Sequence, residues 1–282
     1  MRVEHVDSPS DPRLDDYRVL KEGDLLRRRG VFIAEGRLVV ERLLEPSCRF
    51  GVKSVLATPR SLETLAPALE RCGRDAPVFV MAREQMEEVV GFAFHRGVVA
   101  AGLVGESLTV EEAAGRALAG EGERTMVVAL EDLVDTDNVG SIFRSAAALG
   151  AGGVVLSPRC ADPLYRKAIR TSMGHALRIP FARARAWPDE LRRLRELGFV
   201  IAAMTPGEGS EEIGRFARGA GDRVAVLVGA EGDGLSAAAL AAADARVRIP
   251  MHAGADSLNV ATACAIALQR IGEGRDPLAS RP

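Results

Sequence analysis

At 282 residues the chain is long for a single domain, and a unit size of about 150 residues leads us to expect two. Apolar residues make up 47% of it, enough for filled cores, while a net charge of −2 excludes a globally basic nucleic-acid binder but leaves local patches open. No run of about 18 apolar residues and no signal pattern occurs, so a soluble, cytoplasmic protein without a membrane segment is expected. Cys48, Cys72, Cys160 and Cys264 lie far apart and match no zinc or redox spacing; they read as reduced thiols, and no metal site is expected. Lysine occurs only at Lys21, Lys53 and Lys167, so arginine carries nearly all positive charge. Guanidinium forks suit phosphate and RNA, although a genome-wide compositional bias accounts for the same imbalance.

Residues 1–104 read as a small α/β domain. A polar opening leads to a helix that ends in Arg27-Arg28-Arg29-Gly30, cations followed by glycine being a stop signal. Strand Val31–Ala34 passes through Glu35-Gly36 into a helix from Arg37 to about Leu44; Val52–Ala57, Pro77–Met81 and Val98–Val104 are further strands. Alternating strands and helices imply a partly parallel sheet. Nothing here has catalytic spacing. Arg27, Arg28 and Arg29 are candidate contacts for RNA phosphates, and equally the solvated end of a helix in a segment whose acidic and basic residues balance. Residues 105–123, acidic and containing glycine, read as a linker with a short helix at Val110–Leu118.

The second domain, 124–282, opens with the buried strand Thr125–Leu130 and a polar loop that leads to a helix from Ser141 to Leu149. Asn138 is the expected N-cap of that helix, and Arg144, about six residues on, is expected on the same side, facing the loop end. Arg159 to Arg185 is locally basic, and Arg166, Lys167 and Arg170 form a candidate RNA-backbone patch on a helix starting near Asp162-Pro163. Further on, strand Val224–Val228 breaks into Gly229-Ala230-Glu231-Gly232-Asp233-Gly234, and strand Val247–Ile249 leads through a loop to Ser257-Leu258-Asn259-Val260 and an apolar helix. Two strand ends of this kind put two loops side by side at the carboxyl edge of a parallel sheet, where open α/β folds bind ligands.

The glycine loop narrows the ligand. Its G-x-x-G-x-G spacing is neither the dinucleotide fingerprint nor a P-loop, and Glu231 and Asp233 would repel a pyrophosphate. A ligand without phosphates fits better. A tight turn with no ligand would use the same glycines.

Asn138-x-Gly140-x-x-x-Arg144, then Gly229-x-Glu231-Gly232-x-Gly234-Leu235, then Ile249-Pro250-Met251 leading to Ser257-Leu258-Asn259-Val260, resembles the three ordered motifs of the SpoU (TrmH-type) branch of the SPOUT RNA methyltransferases. The resemblance covers residues 124 to about 272, and residues 1–104 look like the L30e-like RNA-binding module that often precedes this domain. It implies a C-terminal α/β trefoil-knot methyltransferase domain, an exception to the rule that chains avoid knots, and homodimers formed through that domain. It also implies S-adenosylmethionine as cofactor, held by the backbone of Gly229, Ile249, Met251 and Leu258 with the Thr205 loop. The implied reaction is methyl transfer to a ribose 2′-hydroxyl of structured rRNA or tRNA. Arg144 matches the catalytic arginine; Asn138, Ser257 and Asn259 would position ribose and cofactor, and Glu231 would orient Arg144 or another donor. A guanidinium stays protonated, which favours phosphate binding and oxyanion stabilisation over proton abstraction. Two other readings remain: a non-catalytic RNA-binding protein that retains the fold, which loss of Arg144 or Asn259 would have favoured, and a nucleotide-binding α/β protein, disfavoured by the glycine spacing.

Overall fold

A computed structural model describes residues 1–18, 22–91, 96–118, 124–207, 209–252 and 257–273. The backbone divides into two units, Met1–Glu106 with Pro163–Arg178, and Ser107–Asp162 with Ile179–Pro282.

In chain order the first unit contains β1 (Arg2–His5), α1 (Glu22–Arg29), β2 (Val31–Glu35), α2 (Arg37–Leu44), β3 (Gly51–Ala57), α3 (Pro59–Cys72), β4 (Pro77–Val80), α4 (Arg83–Val90) and β5 (Val98–Leu103). Its sheet runs β1-β4-β3-β5-β2, with β1, β4 and β3 parallel and β5 antiparallel to both neighbours. β1 is absent from the sequence reading because it is largely exposed; pairing along the β4 edge, not apolar patterning, makes it a strand. Local signals explain other boundaries. Thr58 caps α3 by accepting the Ser61 N–H, with Pro59 at the first helical position, and α2 is entered through Gly36 at φ 94°, a conformation glycine adopts cheaply. Leu56, Phe79, Met86 and Val99 fill the core, and Tyr17 reaches Ser54 at 2.6 Å inside it.

The second unit begins earlier than expected. Helix α5 (Val110–Leu118) falls in the stretch read as a linker, yet Val110, Ala113, Ala114 and Ala117 are buried in the same core as Val127 and Val155. A capping box starts it: Glu112 N–H donates to Thr109 Oγ1, and Glu112 Oε2 accepts the Thr109 N–H at 2.8 Å. The helix then lies against Gly152, where a Cβ would stand 2.7 Å from the Ala117 Cα. The sequence reading weighed its acidic face and missed its alanine stripe. Strand β6 (Thr125–Leu130), helix α6 (Thr136–Leu149) and strand β7 (Ala151–Leu156) follow.

Helix α7 (Arg166–Thr171) corrects a second boundary, since Pro163–Arg178 belongs to the first unit although it was expected within the second domain. Ala168 and Ile169 are buried, α7 packs on β2, Arg178 pairs with Glu45, and the Cys48 thiol donates to the Leu177 carbonyl. The remaining elements are β8 (Phe181–Arg183), α8 (Leu191–Glu196), β9 (Val200–Met204), β10 (Glu211–Glu212), α9 (Ile213–Gly219), β11 (Arg223–Val228), α10 (Ala237–Ala242), β12 (Ala245–Arg248) and α11 (Val260–Gly272).

The seven strands of this unit run β10-β12-β9-β11-β6-β7-β8, all parallel. Such a sheet is covered on both faces, which is why β6 and β11 read as continuous apolar runs. Val127, Ala129, Ala225 and Leu227 share one core with α5, α8 and α10. Met126, Val128, Val224 and Val226 alternate to the other face, where α6 and α11 pack together.

Arginine does much of the internal stitching. Arg124 donates to the carbonyls of Ala217 and Ala220 at the end of α9 and of Ile271 at the end of α11, and Arg74 and Arg183 likewise serve several main-chain oxygens. Part of the arginine excess is therefore structural. All four cysteines are free and buried, and burial pushes the Cys264 thiol up to about 12. Among the described residues no helix is long and apolar enough to cross a membrane.

Candidate functional site

Strands β12, β9 and β11 are parallel neighbours, so the turns that follow them open at one edge. The sequence reading set two loops side by side; β9 lies between their strands and adds a third. After β9 comes Thr205-Pro206-Gly207, with the Thr205 N–H donating to the Val247 carbonyl. After β11 comes the glycine loop, and after β12 the segment Ile249 to Met251. With Ser257, Leu258 and Asn259 ahead of α11, these turns enclose a pocket of about 650 Å³. That lies within the range of small-molecule sites.

Each loop glycine has its own reason. A Cβ on Gly229 would meet the Gly234 carbonyl at 2.4 Å, because the loop folds back on itself and the Gly234 N–H donates to the Ala230 carbonyl. Gly232 and Gly234 take φ of 91° and 68°. The pocket walls are chiefly apolar, from Leu235, Leu240, Ile249, Met251 and Leu258, with Glu231 and Asp233 as carboxylates.

One side chain joins the three motifs. Asn259 caps α11 by accepting the Ala261 and Thr262 N–H groups, and its Nδ2 donates to Asn138 Oδ1 at 2.9 Å and to Glu231 Oε1 at 2.8 Å. Its amide hydrogens and its oxygen are thus occupied inside the protein. Asn259 positions Asn138 and Glu231. It has no remaining amide donor for a bound ribose, which corrects that part of its expected role. Glu231 finds its donor in Asn259.

Asn138 is not the expected N-cap. Helix α6 starts at Thr136, and Asp135 caps it by accepting the Asp137 N–H at 2.7 Å, while Asn138 is buried in the first turn and turned to Asn259. The run Asp135-Thr136-Asp137-Asn138 holds several cap-forming side chains, and the first of them takes the role. This revises Arg144 as well. Six residues along a helix sweep about 600°, so Arg144 sits about 120° around the axis from Asn138 and not on the same side. Arg144 is exposed on α6, lies outside the pocket lining, and makes no hydrogen bond or ion pair among the described residues.

Of the other expected site residues, Thr205, Gly229, Glu231, Ile249, Met251, Ser257, Leu258 and Asn259 all line the pocket. The candidate RNA contacts fall in the first unit. Arg28, Lys167 and Arg170 are exposed, whereas Arg29 pairs with buried Asp16 and Arg166 approaches buried Glu35 at 3.9 Å. The side chain of Arg27 lies outside the described residues. From the basic run, Arg159 is committed to Asp132, whose carboxyl it holds below the ordinary range, and Arg183 to main-chain carbonyls. No group of three His, Cys, Asp or Glu side chains among the described residues is placed to hold a metal ion.

The sequence reading missed Glu131. A charged residue directly after a buried strand was the available signal; it is 3% exposed and hydrogen-bonded to Trp187 and Ser236. Arg248 and Leu240 also line the pocket without any motif to mark them.

The chain is similar to an uncharacterized tRNA/rRNA methyltransferase of Mycobacterium tuberculosis, 47% identical over 94% of this chain and 90% of that protein. Among solved structures it is similar to an AdoMet-bound rRNA methyltransferase from Sinorhizobium meliloti, with TM-score 0.79 and 27% identity over 96% of this chain and 98% of that one. The SpoU methyltransferase AviRb from Streptomyces viridochromogenes, in complex with AdoMet, shares the fold at TM-score 0.75 and 22% identity, covering 94% and 97% of the two chains. Residues 125–269, which contain every turn of the pocket and the asparagine that links them, match the SpoU rRNA Methylase family, and the chain belongs to that family.

Proposed function

We propose that this protein is an S-adenosylmethionine-dependent methyltransferase of ribosomal or transfer RNA and that it methylates a ribose 2′-hydroxyl. The observation that carries the reading is the convergence of three separate turns on one apolar pocket, with Asn259 tying Asn138 to Glu231 at its rim. The pocket fits the cofactor: its volume suits a nucleoside-sized ligand, the missing Cβ at Gly229 lets the glycine loop fold back tightly to shape it, and its carboxylates tolerate a cation that carries no phosphate.

Bound there, S-adenosylmethionine supplies an electrophilic methyl group on a sulfonium sulfur. The protein's task is to bring a weak nucleophile to that methyl in line and to manage the charge that develops on its oxygen. Gly229, Ile249, Met251, Leu258 and Thr205 bind and orient the cofactor, chiefly through main chain and apolar contact. Asn138, Glu231 and Ser257 position the reacting ribose, the first two in orientations set by Asn259. Arg144, exposed on α6, binds the adjoining RNA phosphate and stabilises the charge that develops on the ribose oxygen, whose proton passes to solvent water.

Within this reading residues 1–104 form an L30e-like RNA-binding module, and Arg28, with Lys167 and Arg170 from the Pro163–Arg178 segment of the same unit, offers exposed charge to the RNA backbone; the C-terminal domain is knotted and forms a homodimer, in the cytoplasm where its RNA resides. The likeness to an AdoMet-bound rRNA methyltransferase over 96% of this chain supports the fold on which this assignment rests. The test is calorimetry with S-adenosylmethionine, then transfer of labelled methyl to total rRNA and tRNA with nucleoside analysis. A 2′-O-methylated nucleoside is expected. The Arg144→Ala protein should bind cofactor as before and lose transfer. A base-methylated product, or equal loss of binding and transfer in that variant, would refute the assigned chemistry.

A further inference from the structure

Glu131 follows β6 directly, is 3% exposed, and has no part in the reaction outlined above. Its main-chain N–H donates to the carbonyl of Val228 at 2.9 Å, the residue just before the glycine loop. Its carboxylate closes on Ser236, the residue just after Leu235: Oε2 accepts the Ser236 N–H at 2.8 Å and Oε1 the Ser236 hydroxyl at 2.7 Å. Oε1 also accepts the indole N–H of Trp187 at 2.8 Å. One residue therefore grips the Gly229–Leu235 loop at both ends. Ser236 in turn caps α10 through the Ala239 N–H, so the same grip sets where that helix begins. Leu235 and Leu240, both in the pocket wall, pack with Trp187 on one core.

From this arrangement we propose that Glu131 is a positioning residue for cofactor binding and that Trp187, through its indole N–H, holds the Glu131 carboxylate in place. The inference rests on the pocket's being the S-adenosylmethionine site. The chemistry demands an acceptor without hydrogens, because the indole and the Ser236 amide are donors only. Glutamine has the same shape but aims an amide NH₂ at one of them in either orientation, leaving a buried donor unpaired. The loop then loses an anchor while the strands beneath it keep their own hydrogen bonds and packing.

The test uses the full chain and S-adenosylmethionine. Calorimetry on Glu131→Gln should show at least about a tenfold weaker dissociation constant, and Trp187→Phe, which keeps a ring but removes the N–H, a smaller loss of a few-fold. Hydrogen exchange in Glu131→Gln should rise in the 229–236 segment and stay native along β6 and β11. Trp187 is the single tryptophan of the chain, so cofactor should change native tryptophan emission, and that response should shrink in Glu131→Gln. A lowered melting temperature with native cofactor affinity in both variants would mean that Glu131 is merely structural, and would overturn the inference while leaving the function intact. Failure of the native chain to bind S-adenosylmethionine would overturn both.

Discussion

Replacing Asn259 separates holding α11 from holding the site. In Asn259→Ala the α11 cap is lost, at about 1 kcal/mol, and Asn138 Oδ1 is left without its donor in a buried position, at about 1–3 kcal/mol. Glu231 is exposed, so water replaces its lost partner and little is added. The sum is about 2–4 kcal/mol, which for a unit of this size lowers the melting temperature by about 4–16 °C. Asn259→Asp behaves differently. Aspartate is as good a cap as asparagine and favours the helix dipole, and Asn138 can turn its amide to donate to the new carboxylate, so stability should stay within about 1 kcal/mol of native. Yet an oxygen then faces Glu231 Oε1, where Nδ2 stood 2.8 Å away, and the two carboxylates separate. Thermal melts paired with S-adenosylmethionine calorimetry read the two effects apart: the alanine variant should be weakened in both, the aspartate variant in cofactor affinity alone, by about tenfold or more. An alanine variant that melts within about 1 °C of native, or an aspartate variant that binds cofactor normally, would refute the linking role.

Two further outcomes test the frame around the site. Gly229→Ala should abolish cofactor binding at little cost to the sheet, since the new methyl would sit 2.4 Å from the Gly234 carbonyl and force the loop outward; native affinity in titration would show that the close approach is dispensable. Arg124→Ala removes the charge-assisted bonds that end both α9 and α11 and should cost about 2 kcal/mol in urea denaturation, with Arg124→Lys recovering part; an unchanged midpoint would mean water satisfies those carbonyls unaided.

The three motifs at Asn138, Gly229 and Asn259, the runs that became β6 and β11, and the meeting of the turns after β11 and β12 were legible because each is a local matter: apolar periodicity, glycine where the backbone must turn, small residues where a ligand approaches; the turn after β9 came only from the family resemblance. The fate of hydrogen-bonding side chains was not. Asn138 looked like a cap and is buried in the first turn of α6, because Asp135 reached the free N–H groups first. Arg183 lies in the basic run from Arg159 to Arg185 and is spent on carbonyls of its own unit.

Residue order alone therefore determined where β6 and β11 stop and that the turns after β11 and β12 share a sheet edge, since both follow from short-range patterning and parallel connection. Only the tertiary structure decided that α5 belongs to the second core, that α7 belongs to the first unit, and that Asn259 and Glu131 serve neighbouring residues. Those outcomes depend on which groups, distant along the chain, are left facing one another once the apolar faces close. A buried donor or acceptor takes whichever partner that closure supplies.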